Sequence, residues 1–310
     1  MDAGNTKGSE GSVVVSVDLG GTNMRVALVS GRGEIVARHV DPTPRAASHP
    51  DVLVGLVGSL AEGSAAERAV VGVPGRVDHE IGRLEHAPNL PPHWAEHLSE
   101  RELSRALGLP VALANDADLA AVGEHRSGAG RGARDMVYLT ISTGIGCGVI
   151  VGDRLLHGRR SLAEVGHTVI DRGDGSGPRT LEGSASGTAL GRLAAEVGLP
   201  AHGRELLELV RAGDASAGRV WDRIVEAAGL GVANLAHLFS PQVIVVGGGV
   251  GLAGDLLLEP LRRGLASHGP RDLPEPIRVI GAELGDDAGL VGAAGWAIDF
   301  EPIGRREMVS

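Results

Sequence analysis

Several short clusters in this sequence set carboxylates, amides, hydroxyls or an imidazole beside glycine. Asp18-Leu19-Gly20-Gly21-Thr22-Asn23 places a carboxylate at the end of an apolar run, then two glycines and two short polar side chains. Glycines let backbone N–H groups approach an anion closely, and Thr and Asn add donors. The arrangement suits a phosphate cradle, with Asp18 held near a hydrated magnesium ion. A hairpin turn is its plainer use. Ser142-Thr143-Gly144-Ile145-Gly146 repeats the device with the same alternative, and Cys147 beside it reads most simply as a small buried residue. Two such turns at matching places fit one phosphate chain that takes donors from both sides. Asn115-Asp116-Ala117-Asp118 follows an apolar stretch and opens a helix. A carboxylate there can accept a proton from a substrate hydroxyl, or the pair can serve as an ordinary helix cap. Glu164, His167 and Glu182 flank a Gly/Asp/Ser/Pro loop. Their types admit a metal site, a polyol-binding surface or a solvated turn.

Strands and helix starts must position these groups. SVVVSVD, MRVALVS and EIVARHV are β-rich runs separated by glycine turns, the pattern of an antiparallel meander from Val13 to Val40. A helix near Val52 to Glu62, a buried strand at VVGVPG, a capping box at Ser99-x-x-Glu102 and a short strand at 111–114 follow. From Met136 the meander recurs as MVYLTIS, VIVGD and RLLHGR, a duplication that suggests two related lobes. The rest is mainly helical: Thr188 to Val197, Arg204 to Arg211, and Ala215 to Phe239, ended by Pro241. QVIVV then delivers a strand end to Gly247-Gly248-Gly249, IRVIGAEL is a last strand and GLVGAAGWAIDF a last helix.

Composition removes several function classes. A formal charge of −10 disfavours a nucleic-acid backbone, and aromatics at 2% leave little for base stacking. The polar start lacks the apolar run of a signal peptide and no stretch is long enough to span a bilayer, so the expected location is the cytoplasm, without a membrane partner. The single cysteine excludes a disulfide framework and a cysteine-built zinc site.

Taken in order, DLGGTN, VPG, APNLPPHW, NDAD, STGIGCG, AEVGH, LEGSASG, VVGGGV and LGDDAGLVGAA resemble the ROK family of sugar kinases and sugar-responsive repressors, in the actin and hexokinase superfamily. The resemblance runs from about Val13 to Trp296. It implies an α/β, two-lobed, ribonuclease H-like fold with a duplicated β-meander and a central cleft. Residues 1–114 would form a smaller N-terminal lobe, with a C-terminal helix over 287–310 packing back on it, and 115–286 a larger lobe. By the same resemblance ATP, Mg2+ and a sugar bind between the lobes. Asp116 matches the general base and Asp18 the residue near magnesium. Gly20, Gly21, Thr22 and Asn23 match the first phosphate loop, Thr143 and Gly144 the second, and Gly247, Gly248 and Gly249 the turn beside adenosine. The sugar would be held by Gly75, Asn89, Asn115, Glu164, His167 and Glu182. A homodimer is usual for the family.

Two departures qualify the match. Most members carry a zinc-binding CxCGxxGC segment between the histidine and the second glutamate, whereas IDRGDGSGPRTLEG holds no cysteine. Asp171 and Asp174 are ligands of the wrong softness to replace thiolates, so structural zinc is not expected, and Glu164 or Asp171 is left to orient His167. Asp118 stands where Asn is more usual, and it is expected to face its own helix or solvent. If it instead lay near the cleft it would favour an amino sugar. The expected activity is ATP-dependent phosphorylation of the 6-hydroxyl of glucose or an amino hexose, including kanosamine-like sugars. A cyclitol kinase and a non-catalytic sugar-sensing regulator are the alternatives, the latter disfavoured by charge and by a phosphate loop that begins at Asp18.

Overall fold

A computed structural model describes residues 12–44, 49–87, 89–91, 93–173 and 179–299. The chain divides into two compact units. One contains the described residues up to Gly128, the segment Leu155–Leu162 and those from Asp286 onward; the other contains Ala129–Arg154 and Ala163–Gly285.

In the first unit β1 (Val13–Leu19), β2 (Asn23–Ser30) and β3 (Ile35–Pro42) form the expected antiparallel meander. Helix α1 (Asp51–Ala61) leads to β4 (Ala66–Val73), which pairs parallel with β1. A separate hairpin of β5 (Arg76–Asp78) and β6 (Arg83–His86) precedes α2 (Trp94–His97) and α3 (Glu100–Leu107). Strand β7 (Val111–Asn115) completes the sheet in the order β3-β2-β1-β4-β7, and α4 (Asp116–Ser127) follows it directly. Alternating valines of β1 and β4 bury Val15, Val17, Val71 and Val73 against Leu53, Val57, Trp94 and Leu113. The capping box forms, with Ser99 Oγ accepting from Glu102 N at 3.2 Å. Register aligns Asp18 with Gly72 and Val73 with Asn115, so the carboxyl ends of three parallel strands share one edge.

Helix α10 (Ala288–Asp299) lies on α4 in this unit. A Cβ at Gly123 would fall on Ala288 O and one at Gly292 on Leu119 O, so the two backbones touch where side chains are missing. The division therefore falls after Gly128, whereas the sequence suggested a boundary at 114/115: α4 is held by β7 before it and by α10 on its flank. Residues beyond 299 of the expected C-terminal helix lie outside the described residues. Segment Leu155–Leu162 also joins the first unit, because Arg159 Nε donates to the buried Asp78 Oδ2 at 3.1 Å and His79 N to Arg159 O at 2.8 Å.

The second unit repeats the first sheet's topology. Strands β8 (Met136–Ile141) and β9 (Ile145–Val151) pair antiparallel, and β10 (Arg154–Leu155) is only two residues long, much less than the expected third strand of a full meander. After a short hairpin of β11 (Val169–Asp171) and β12 (Arg179–Thr180) come α5 (Leu181–Ala185), α6 (Gly187–Glu196), α7 (Gly203–Arg211) and the long α8 (Ala215–Phe239). Asp214 caps α8, and Ser240 in the left-handed region ends it before Pro241. Strand β13 (Val243–Gly247), helix α9 (Asp255–His268) and β14 (Arg278–Gly281) give the order β10-β9-β8-β13-β14. Its core joins Val137, Leu139, Ile244 and Val246 to Trp221, Leu235 and Leu257. Among the described residues no helix is long and apolar enough to cross a membrane.

Candidate functional site

At the carboxyl edge of the first sheet, the β1–β2 turn is pinned through its backbone. Gly20 N donates to Asn23 O at 2.9 Å, Thr43 Oγ1 to Gly20 O at 2.6 Å, and Thr43 N to Thr22 O at 2.8 Å. A Cβ at Gly21 would fall on the carbonyl oxygen of Asn89, which explains the second glycine by a close backbone approach. Thr22 and Asn89 are exposed, and Asn23 is half-buried. Asp18 Oδ2 accepts from Arg25 Nη1 at 2.9 Å, and Arg25 Nη2 lies 3.2 Å from Asp286 Oδ2. Burial pushes the Asp18 carboxyl above the usual carboxylate range; Arg25 pulls the other way more weakly, and the Asp286 carboxylate adds to the rise. Two carboxylates around one guanidinium leave an excess negative charge that favours an incoming cation.

Asn115 is the N-cap of α4: its Oδ1 accepts from Ala117 N at 2.9 Å and Asp118 N at 3.2 Å. Its Nδ2 donates to Gly75 O at 3.0 Å, tying the cap to the end of β4. Gly75 in turn lies so close to His86 O that a Cβ would fall on it. The cap reading of this motif holds, and the capping amide fixes where the next residue starts. Asp116, half-buried, is that residue, and its Oδ1 accepts from Ala117 N at 2.8 Å. Asp18, Gly75, Asn115 and Asp116 are brought to one edge. Of the two settings expected for Asp118, its own helix or solvent, solvent is excluded: it is 1% exposed in the first turn of α4, whose early turns are buried along most of their circumference.

In the second unit Ser142 N donates to Gly144 O at 2.9 Å, closing the β8–β9 turn. Glu182 Oε2 accepts from Ile145 N at 2.8 Å, and a Cβ at Gly144 would fall on that same oxygen. Gly187 N donates to Ser142 O at 2.7 Å and Thr188 Oγ1 to Thr143 O at 2.7 Å, so the start of α6 braces the turn from the other side. The Gly247-Gly248-Gly249 turn adjoins it: Gly248, at φ +85°, would place a Cβ against Ile141 O, and Val250 N donates to Ile141 O at 2.9 Å. Nothing lies within 4 Å of a Cβ at Gly249, so that position borders open space.

Glu164 and His167 sit on a short 3-10 turn, Val165–His167, packed against the start of β9 and α5; a Cβ at Gly166 would lie 2.6 Å from Ile145 O and 3.4 Å from Glu182 Cβ. The structure thus gathers Gly144, Glu164, His167 and Glu182. His167 is 73% exposed, which rules out a buried structural histidine, and its Nε2 lies 3.9 Å from Glu164 Oε2. Asp171 does not orient it, since that carboxylate pairs with Arg179 at 3.7 Å and accepts from Gly173 N at 3.1 Å. Asp174 lies outside the described residues. Among those described, no group of three or more His, Cys, Asp and Glu is placed to hold a metal ion.

Sequence reasoning missed Arg25 and Asp286 beside Asp18, and Thr43 and Thr188 behind the two turns. The hairpin register carries a signal for the first, since Asp18 and Arg25 are opposite each other across β1 and β2. The threonines carry no local signal.

The family model described as "ROK family" matches residues 14–300 of this chain. The chain belongs to the ROK family. Within it, the chain is 39% identical over 303 residues to the bifunctional enzyme NanE/NanK of Brucella melitensis, covering 96% of this chain and 56% of that enzyme. It therefore spans little more than half of that relative's length. A glucokinase of Thermotoga maritima is 35% identical over 307 residues, covering 91% of this chain and 96% of the relative. Among solved structures, a ROK glucokinase from Streptomyces griseus in complex with glucose and AMPPNP superposes with a TM-score of 0.77 at 33% identity, covering 91% of this chain and 98% of that one. The ROK assignment agrees with the two five-stranded sheets of like order.

Proposed function

We propose that this ROK protein is an ATP-dependent sugar kinase that transfers the γ-phosphoryl group to the 6-hydroxyl of a hexose, glucose or an amino hexose, with Asp116 as general base. The observation that carries this reading is the shared edge of β1, β4 and β7, where Asn115 caps α4, bonds Gly75 O at 3.0 Å, and so fixes Asp116 at a strand-to-helix junction on the same edge as Asp18, two strands away. Ligand sites of open α/β sheets lie outside the carboxyl ends of the strands.

Asp116 accepts the proton of the attacking hydroxyl. Phosphoryl transfer passes through a loose transition state, so placement matters more than basicity and an ordinary carboxylate suffices. Gly20, Gly21, Thr22 and Asn23, with Thr143 and Gly144, offer backbone and hydroxyl donors to phosphate, and Gly247 to Gly249 border the adenosine. Gly75, Asn89, Asn115, Glu164, His167 and Glu182 pair the sugar hydroxyls, and their unpaired state with a deoxy analogue would penalise it. The residues around Asp18 fit Mg2+: hard oxygen donors, excess negative charge and a buried setting. Mg2+ there would neutralise charge on the phosphates. The buried Asp118 gives an amino sugar no direct partner, so preference for amino hexoses would rest on Glu164 and Glu182.

ADP release measured across hexoses, amino hexoses and cyclitols, with the phosphorylated position read by NMR, tests the reading. Sugar-dependent turnover with product phosphorylated at C6 is expected. Tight sugar binding without turnover, or turnover independent of sugar, would overturn it. Asp116→Ala is expected to lower kcat by about 10³-fold while sugar affinity changes much less. Near wild-type turnover in that variant would remove Asp116 from the role of base.

A further inference from the structure

Apart from these residues, the first unit holds a cavity of about 650 Å3 beside the β5–β6 hairpin. This open, shallow pocket is lined by Arg76, Arg83, Leu84, Glu85, Ala95, Glu96 and Arg160. Three guanidiniums meet here in a chain of net charge −10, and the buried Asp78 also lies 3.8 Å from Arg160 Nη2. Glu85 organises two of them: its Oε1 and Oε2 accept from Arg160 Nη2 and Nε at 2.7 Å each, and Oε2 also accepts from Arg76 Nε at 3.0 Å. The bonding from Arg160, more than from Arg76, holds the Glu85 carboxyl well below the usual range, at about 2, so the clamp stays charged at any working pH. The terminal nitrogens of Arg76 take no part in its pair with Glu85, which uses Nε alone.

Arg83 is different. Its polar contact is with a carbonyl, Nη2 to Glu96 O at 3.4 Å, and among the described residues no carboxylate forms an ion pair with it. The Glu96 carboxylate lies instead 3.3 Å from His93 Nδ1. Arg83 is thus the one guanidinium of the three whose charge no carboxylate of the described residues pairs. Rigid guanidinium forks match phosphate oxygens two at a time, and forks already ordered by a carboxylate lose little freedom on binding.

We propose that this cavity is an anion-binding site for a phosphate group, borne by a small molecule or free in solution, with Arg83 as its principal ligand and Arg76 and Arg160 as flanking donors held by Glu85. Isothermal titration calorimetry with inorganic phosphate, glucose 6-phosphate and tripolyphosphate, each in saturating MgADP so that nucleotide-site binding is masked, tests it. At least one probe is expected to bind the wild type, and Arg83→Gln to weaken that binding about tenfold with kinase turnover unchanged. Ala95→Glu, which adds a carboxylate to the wall without touching any arginine, is expected to weaken it similarly. Tighter binding of glucose 6-phosphate than of phosphate assigns the site to a phosphoester, and equal binding assigns it to free phosphate. Absence of binding by all three probes, or binding of wild-type strength in Arg83→Gln, overturns the proposal.

Discussion

The turn after β1 and the turn after β8 occupy the same place in two sheets of the same strand order, but different forces hold them. In the first unit the penultimate cross-strand pair of the hairpin is Asp18 opposite Arg25; in the second it is Thr140 opposite Gly146. The first turn is fixed against backbone, by Thr43 and by the Asn89 carbonyl behind Gly21. The second is fixed by a carboxylate side chain, Glu182, and by the start of α6. Duplication of topology has therefore not duplicated chemistry. One copy presents charge, and the other presents neutral backbone held in place by a borrowed acceptor.

This contrast can be broken or sharpened by substitution. Gly21→Ala drives a methyl into a carbonyl that cannot rotate away, and is expected to cost about 2–3 kcal/mol and to raise the KM for ATP, read by denaturant unfolding and steady-state kinetics. Glu182→Ala leaves Ile145 N without its acceptor and is expected to cost about 1–2 kcal/mol, with KM for sugar and for ATP both rising. Gly144→Ala should cost about 1 kcal/mol, less than Gly21→Ala, because the obstructing Glu182 side chain can turn. An equal penalty at the two glycines would erase the distinction between a backbone wall and a side-chain wall. The smallest effect concerns pH. Because the folded state holds the Asp18 proton more tightly than the unfolded chain, the group's contribution to stability rises as pH falls from the raised folded value toward 3.8 and is lost as pH rises through that folded value. Urea titrations at several pH values should show wild type gaining on Asp18→Asn as the solution is acidified; a difference independent of pH would place Asp18 in a solvated setting.

The parts of this design that were legible in sequence are those whose cause is local. The two glycine turns, the capping box at Ser99 and the Asn115 cap each depend on residues within a few positions, and each forms. The solvent setting offered for Asp118 fails because, although a carboxylate in a first helical turn is ordinarily solvated, the surrounding packing buries this one. Segment Leu155–Leu162 misled because its place is set by ion pairs to Asp78, which stands 81 positions before Arg159 in the sequence. The arginine cavity was illegible because Arg76, Arg83 and Arg160 converge only after that segment has returned.

The glycine-to-backbone contact between α4 and α10 also sets an order of assembly. The helix that begins with Asp116 is made early by the ribosome, while the helix that covers it is among the last described residues to emerge. Until then the second unit, complete in sequence by Gly285, has all of its own strands, whereas the first waits with Leu119 and Gly123 uncovered. A chain that folds as it emerges can thus form the sheet of the second unit before α10 is present to cover Leu119 and Gly123.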